Sequence, residues 1–206
     1  MGTLIWSDNF ESYASPISAP WTSITNTPIS STVAHGGTKS AMLGAGGSAS
    51  NAVRALGSNV GPPFYADFWL NVNSSSSTNA FVKFYDTGLT DNGIALKPAG
   101  VSSGNGSVVL PGGGSAFTYA ITNNVWHHIL FEIVRAVAGT LKLTIDGVVV
   151  GTYAGNTRGS SNQTYVSAVG LVGASIGPSP IAEIWVDDLG TYSGTPYDPT
   201  KFLFAT

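Results

Sequence analysis

The sequence predicts an all-β chain, a two-sheet antiparallel sandwich, and three observations carry that prediction. Short runs alternate apolar and polar residues; Gly/Ser-rich breaks separate them at regular intervals; and apolar residues nowhere recur at i, i+3, i+4 and i+7 between breakers, as an amphipathic helix would require. The breaks at Gly44 to Ser50, Ser74 to Thr78, Gly100 to Gly106 and Gly112 to Ser115 are short enough to be loops between strands. None is an interdomain linker, so residues 1–206 are read as one domain, a size that a single large sandwich accommodates. No repeat at a fixed period is present, which argues against a propeller or solenoid.

The strands follow in order. Met1 leads directly into a first strand around Leu4 and Ile5, and further strands are predicted at Tyr65 to Val72, Ala80 to Tyr85, Phe117 to Ile121, Trp126 to Arg135, Val166 to Val172 and Ile181 to Tyr192. The sharpest local signal is the segment from Gly139 to Tyr153, in which Asp146-Gly147 forms the two-residue type I′ turn of a hairpin. That turn pairs Ile145 with Val148, Leu143 with Val150 and Leu141 with Thr152, leaving Lys142, Thr144, Val149 and Gly151 on the solvated face.

Composition removes several function classes. The chain is 43% hydrophobic and only 9% charged, against about a quarter in ordinary domains. With 5 Trp, 8 Tyr and 9 Phe it has the aromatic content that disordered chains lack. A net charge of -3 without basic clusters gives no footprint for nucleic acid. With no cysteine there is no disulfide, thiolate metal site or cysteine nucleophile. No apolar run approaches the ~18 residues that span a bilayer, so no membrane partner is expected, and the N-terminus carries no export signal. The neutral Ser/Thr/Gly/Asn-rich texture is that of proteins facing the outside world, and the expected location is a virion surface or the extracellular space.

Three segments carry a family resemblance. Ser7-Asp-Asn-Phe-Glu-Ser-Tyr13 followed by Trp21, then His35-Gly-Gly-Thr-Lys-Ser-Ala-Met-Leu43, and finally Trp126-His-His-Ile-Leu-Phe-Glu-Ile-Val134 with the Ile145-Asp-Gly147 turn and Ile184-Trp-Val-Asp-Asp-Leu-Gly-Thr-Tyr192 stand in the order found in laminin G-like and concanavalin A-like proteins. Taken together, over nearly the whole chain, the sequence resembles the concanavalin A-like lectin/glucanase superfamily. The resemblance implies a jelly roll whose first and last strands are neighbours. That group includes lectins, glycosidases, polysaccharide lyases, adhesion modules and virion proteins, so the fold alone leaves function open.

Catalysis finds little support in the residues. The E-x-D-x-x-E or E-x-D-x-E strand of laminarinase-like members is absent; Glu183 with Asp187 and Asp188, and Asp8 with Glu11, lack its spacing. Glu132 and His128 share a strand face, and a structural role for both is preferred to a hydrolase site. Arg54, Arg135 and Arg158 occur without the short signature strings of alginate-lyase-like members, and there is no G-x-S-x-G elbow. His127 and His128 point to opposite faces of a strand and so do not cluster as metal ligands, and His35 beside Gly36-Gly37 reads as a loop residue. The resemblance raises calcium, for which Asp187 and Asp188 are the best pair, with Asp146 or Asp91 as supporters; the alternative is that these carboxylates cap backbone amides.

The binding candidate lies on two strands expected to be neighbours. On one, Phe68, Leu70 and Val72 face the core and Tyr65, Asp67, Trp69 and Asn71 face out; on the other, Val82 and Phe84 face in and Phe81, Lys83 and Tyr85 face out. Rings to stack on sugar C–H faces, interleaved with groups for the hydroxyls, would make Tyr65, Asp67, Trp69, Asn71, Lys83 and Tyr85 a glycan shelf. The alternatives are that a loop covers the face or that another subunit does. The expected function is a non-catalytic, lectin-like binding or adhesion module exposed on a phage or virus particle. A structural virion protein without ligand and a polysaccharide hydrolase or lyase are the alternatives, and the expected partners are glycans, other virion subunits or a second copy in a homo-oligomer.

Overall fold

The computed structural model describes residues 2–43, 50–73, 80–86, 93–98, 105–173 and 184–194. These hold fifteen strands and no helix: β1 (Thr3–Asp8), β2 (Thr22–Thr25), β3 (Ile29–Ser30), β4 (Ser40–Leu43), β5 (Ser50–Val60), β6 (Phe64–Val72), β7 (Ala80–Tyr85), β8 (Ile94–Lys97), β9 (Asn105–Val109), β10 (Ser115–Ala120), β11 (His127–Val134), β12 (Gly139–Ile145), β13 (Val148–Gly155), β14 (Val166–Gly173) and β15 (Ile184–Ser193). They form two antiparallel sheets. Sheet A runs β13-β12-β11-β6-β15-β4-β3, with β1 also on β15, and sheet B runs β10-β9-β8-β7-β14-β5-β2.

The inward-facing residues of both sheets make one core. Phe68, Leu70, Ile129, Phe131 and Val186 of sheet A meet Val82, Phe84, Leu96, Val169 and Leu171 of sheet B, all buried. The expected pairing of the first and last strands is found, with Leu4 opposite Tyr192 and Asp8 opposite Leu189. Strand β15 gives its other ladder positions on that edge to β4, which pairs with Ile184 to Val186. Its partner on that edge therefore changes at Asp187-Asp188, where the strand is irregular and Asp188 has φ 50°.

Two details of register differ from the sequence expectation. Asp146 (φ 50°) and Gly147 (φ 79°) adopt the positive φ values of a type I′ turn, and Ile145 pairs with Val148. Beyond it, Leu143 faces Gly151 rather than Val150, and Leu141 faces Tyr153 rather than Thr152. The register shift leaves Val150 as the extra residue, packed against the core.

The larger correction concerns β6 and β7. They are consecutive in sequence but belong to different sheets: β6 pairs with β11 and β15, and β7 with β14 and β8. The two pack face to face through the core, with the Phe64 and Phe84 rings 5.8 Å apart and edge-on. The face each residue takes follows the alternation read from sequence, but Lys83 and Tyr85 lie on the outside of sheet B, away from Tyr65, Asp67, Trp69 and Asn71 on the outside of sheet A.

Candidate functional site

On the outside of sheet A, the row expected to form an open shelf is closed. Tyr65, Asp67 and Asn71 are buried, and only Trp69 keeps partial exposure. The His35 imidazole stacks on the Trp69 indole with centroids 3.6 Å apart and planes 12° apart, and His128 lies 5.2 Å from it at a tilt of 39°. His35 in turn meets Trp126 edge-on at 5.8 Å. Trp69 therefore gives a flat face to its own chain, and the row is not the open aromatic shelf expected from the sequence.

The reason lies in the carboxylates of β15. At the point where β15 changes neighbours, Asp187 Oδ2 accepts the His35 amide at 2.8 Å and the Gly36 amide at 3.3 Å, while Oδ1 accepts the Asp188 amide at 2.9 Å. Asp188 Oδ2 lies 3.3 Å from His35 Nδ1. From the other side, Glu11 accepts the Thr38 amide at 2.8 Å, the Thr38 hydroxyl at 2.8 Å and the Lys39 amide at 2.7 Å. The 35–39 loop is thus stapled over sheet A by three carboxylates doing the work that a missing strand neighbour would do. Gly36 permits this approach, because a Cβ there would lie 2.9 Å from Asp188 Oδ2.

These contacts bear directly on the calcium expectation. Both oxygens of the fully buried Asp187 accept backbone amides, and burial raises its pKa to about 7. Burial also pushes Asp188 upward. Asp146 accepts the His128 amide at 2.9 Å and sits 2.6 Å from His127 Nδ1, at the far end of sheet A's hairpin. Asp91 lies outside the described residues. No group of three or more His, Cys, Asp or Glu able to hold a metal occurs among the described residues. Asp187 caps backbone amides, and Asp188 pairs with the His35 ring.

His128 is joined to Asp67, with Nε2 to Oδ1 at 2.7 Å, and this hydrogen bond raises the imidazole pKa above its ordinary value. Shifted groups of this kind gather at functional sites, but they also occur in structural networks. Here the bond links β11 to β6 across sheet A. Glu132 faces Tyr65 across the ladder and lies 3.5 Å from Lys142 Nζ, an ion pair on a sheet surface.

The outside of sheet B is different. Lys83, Ala95 and Val109 stand in one row across β7, β8 and β9, and Gly170 faces Lys83 from β14. Together with Leu110, Val172, Gly93, Gly112 and Gly113, that row lines a cavity of about 500 Å³. Its floor is low because the residues are small. The Tyr85 ring lies across Gly170, where a Cβ would come within 2.6 Å of Cε2, and the Lys83 stem lies over Gly93, where a Cβ would meet Cε at 2.8 Å. Tyr85 packs with Val53, Ala168 and Val172 in an apolar cluster separate from the core, and Lys83 Nζ sits 5.0 Å from its ring centroid. Among the described lining residues there is no carboxylate or imidazole. Of the six residues expected to bind glycan, Lys83 is among the described residues that line this cavity, and the buried Tyr85 ring lies beside it. His35, the loop residue that closes the other face, had no signal in sequence beyond its following glycines.

Comparison with known proteins agrees with this architecture. No family model matches the sequence, and no curated protein is similar to it in sequence. Among solved structures, the cellulose-induced protein Cip1 is similar over 92% of this chain and 97% of its own, at 17% identity and a TM-score of 0.65. An endo-β-1,4-glucuronan lyase from the fungus Trichoderma reesei matches over 93% and 96%, at 14% identity and 0.62. The carbohydrate recognition domain of Emp47p matches over 94% and 97%, at 12% identity and 0.55. The chain has the concanavalin A-like jelly-roll fold. At these identities the likeness is one of fold, and the fold holds both an enzyme and a recognition domain.

Proposed function

We propose that this protein is a non-catalytic carbohydrate-binding module whose ligand seats in the cavity on the outside of sheet B. The cavity carries the reading: about 500 Å³ is within the range of small-ligand sites, roughly 300–1,000 Å³. Its walls offer apolar surface for sugar C–H groups, the Lys83 ammonium beside the Tyr85 ring, and the backbone of the Gly112-Gly113 turn as hydrogen-bonding partner. The occurrence of a carbohydrate recognition domain among similar folds supports the ligand class. Among the described lining residues there are no paired carboxylates of the kind glycoside hydrolysis uses, which supports a binding reading over a hydrolase. The charge-poor, Ser/Thr/Gly-rich composition supports placing the module on an exposed surface, a virus particle or the extracellular space, where it would serve adhesion.

The test is a glycan array on the wild type, followed by calorimetry on two variants. Val109→Trp fills the cavity from a partly exposed position and should weaken binding at least tenfold while the protein stays folded. Trp69→Ala, on the other sheet, should leave affinity unchanged in the fraction that folds. Binding that survives Val109→Trp, or is lost in folded Trp69→Ala, would move the site to sheet A; binding to no glycan would overturn the reading.

A further inference from the structure

We propose that the sheet B cavity takes an acidic sugar, a unit whose C6 carboxylate is held by the Lys83 ammonium. This rests on the reading that the cavity binds carbohydrate, and goes beyond it by naming the class of sugar. The observation behind it is the way the fold sorts its charges. The chain as a whole is acidic, with a net charge of -3. Among the described residues, every Asp and Glu except Asp86 belongs to the strands of sheet A, to a connection between them or to the segment that follows β1. Asp86 is buried and paired with Arg135. The described outer face of sheet B therefore carries no carboxylate.

That face carries cations instead. Lys83 belongs to the described lining of the cavity, and Lys97 stands on the same side of the sheet two residues beyond Ala95 on β8, because alternate residues of a strand share a face. Both are partly exposed. The segment holding Arg158 reaches the rim as well: Gly159 sits against Pro111, between the lining residues Leu110 and Gly112, so closely that a Cβ there would lie 2.7 Å from the Pro111 Cβ. A concave surface of one sign above low-dielectric walls concentrates ions of the other sign.

Lys83 is also held in place. Its stem lies along Gly93, where a side chain would displace it: a Cβ would come within 2.8 Å of Cε and 2.9 Å of Cγ. Its Nζ lies 5.0 Å from the centroid of the Tyr85 ring, which is itself buried and laid over Gly170. The ring attracts the ammonium through its π face, so the charge stays beside the cavity. An ammonium restrained in this way loses little freedom when a carboxylate arrives, and hydrogen bonds between charged partners are the stronger ones. The neutral hydroxymethyl group of an unoxidised sugar draws no such attraction.

Calorimetry with pairs of tetrasaccharides that differ only in oxidation at C6 tests this: cellotetraose against its β-1,4-glucuronate counterpart, β-1,4-mannotetraose against tetramannuronate, and α-1,4-galactotetraose against tetragalacturonate. In at least one pair the acid should bind at least fivefold more tightly. Raising sodium chloride from about 0.1 M to about 1 M, which shortens the screening length from about 10 Å to about 3 Å, should erase most of that preference. Lys83→Met keeps an unbranched stem over Gly93 and removes the charge; it should bring the preference below twofold with an unchanged melting temperature. Lys142→Met, at the ion pair on sheet A, should leave the preference as it is. Tetrasaccharide binding without a preference for the acid in any pair overturns the proposal and leaves the carbohydrate reading standing, as does a preference that persists at high salt or in folded Lys83→Met. Binding of none of these tetrasaccharides also overturns it, whereas a blank glycan array removes the reading beneath it.

Discussion

Arg135 is the largest fully buried side chain in the described structure, and its replacement by methionine gives a sharp test of what holds the end of β7 in place. Its Nη2 donates to Asp86 Oδ2 at 2.8 Å and its Nε to the Gln163 carbonyl at 3.2 Å; the Ser161 hydroxyl donates to the same Asp86 oxygen at 2.5 Å. Asp86 directly follows Tyr85, so the pair ties the end of β7 to the end of β11 and to the 161–163 loop. Burial lowers the Arg135 pKa, and the Asp86 charge opposes that shift. Arg135→Met leaves Asp86 as a buried carboxylate without its cation, a change that costs about 3–5 kcal/mol. Ser161 still donates, which places the cost near the lower end. At ~2–4 °C per kcal/mol for a domain of this length, the melting temperature should fall by roughly 6–12 °C. The double variant Arg135→Met/Asp86→Leu removes both charges and should recover most of that loss, leaving about 1 kcal/mol for each hydrogen-bonding group stranded at Ser161 and Gln163. Urea denaturation of the wild type, both single variants and the double variant completes the cycle. A single-variant cost below about 1 kcal/mol, as for an exposed pair, or a double variant as unstable as the two singles summed, would refute the reasoning.

Two further outcomes follow from particular residues. Gly147→Val places a β-branched residue at φ 79° and should cost roughly 1–3 kcal/mol by thermal melting, whereas an unchanged midpoint would mean the turn tolerates another geometry. The His128 imidazole, raised by its bond to Asp67, should titrate above its ordinary ~6.5 by NMR; its stabilising contribution is complete below that pH and is lost as pH rises through the folded value. Asp67→Asn should bring the titration back toward the ordinary value, and a His128 that titrates lower in the wild type than in this variant would contradict the assignment.

Local chemistry explains which parts of this fold could be read from sequence. The Asp146-Gly147 turn was legible because two consecutive positive φ values leave few residue choices, and its register was lost only past Val149, where a one-residue bulge has no composition signal. Alternation placed Phe68, Leu70, Val72, Val82 and Phe84 on the core side, because a strand's side chains have a period of two. The same alternation says nothing about which sheet a strand joins. The partners of β6 are β11 and β15, about 60 and 120 residues further along, and those pairings are fixed by the tertiary fold. That one ambiguity split the expected glycan shelf in two.

The closure of the other half rests on pairings at still greater distance. Asp187 and His35 are 152 residues apart, and only the switch of β15 from β4 to β1 brings the carboxylate under the loop. The sequence did contain both halves of this staple, since Ser7 to Glu11 and Asp187-Asp188 belong to the segments that carry the family resemblance. Their chemistry turns out to be architectural. Asp8 accepts the Tyr13 hydroxyl, the Trp21 indole and the Phe10 amide; Glu11 and Asp187 hold the 35–39 loop. A ligand that displaced these donors would strand an amide or a ring N–H at a cost of about 1–3 kcal/mol each. The carboxylates of the segments that carry the resemblance thus close one face of sheet A, which is why the binding reading proposed above rests on sheet B.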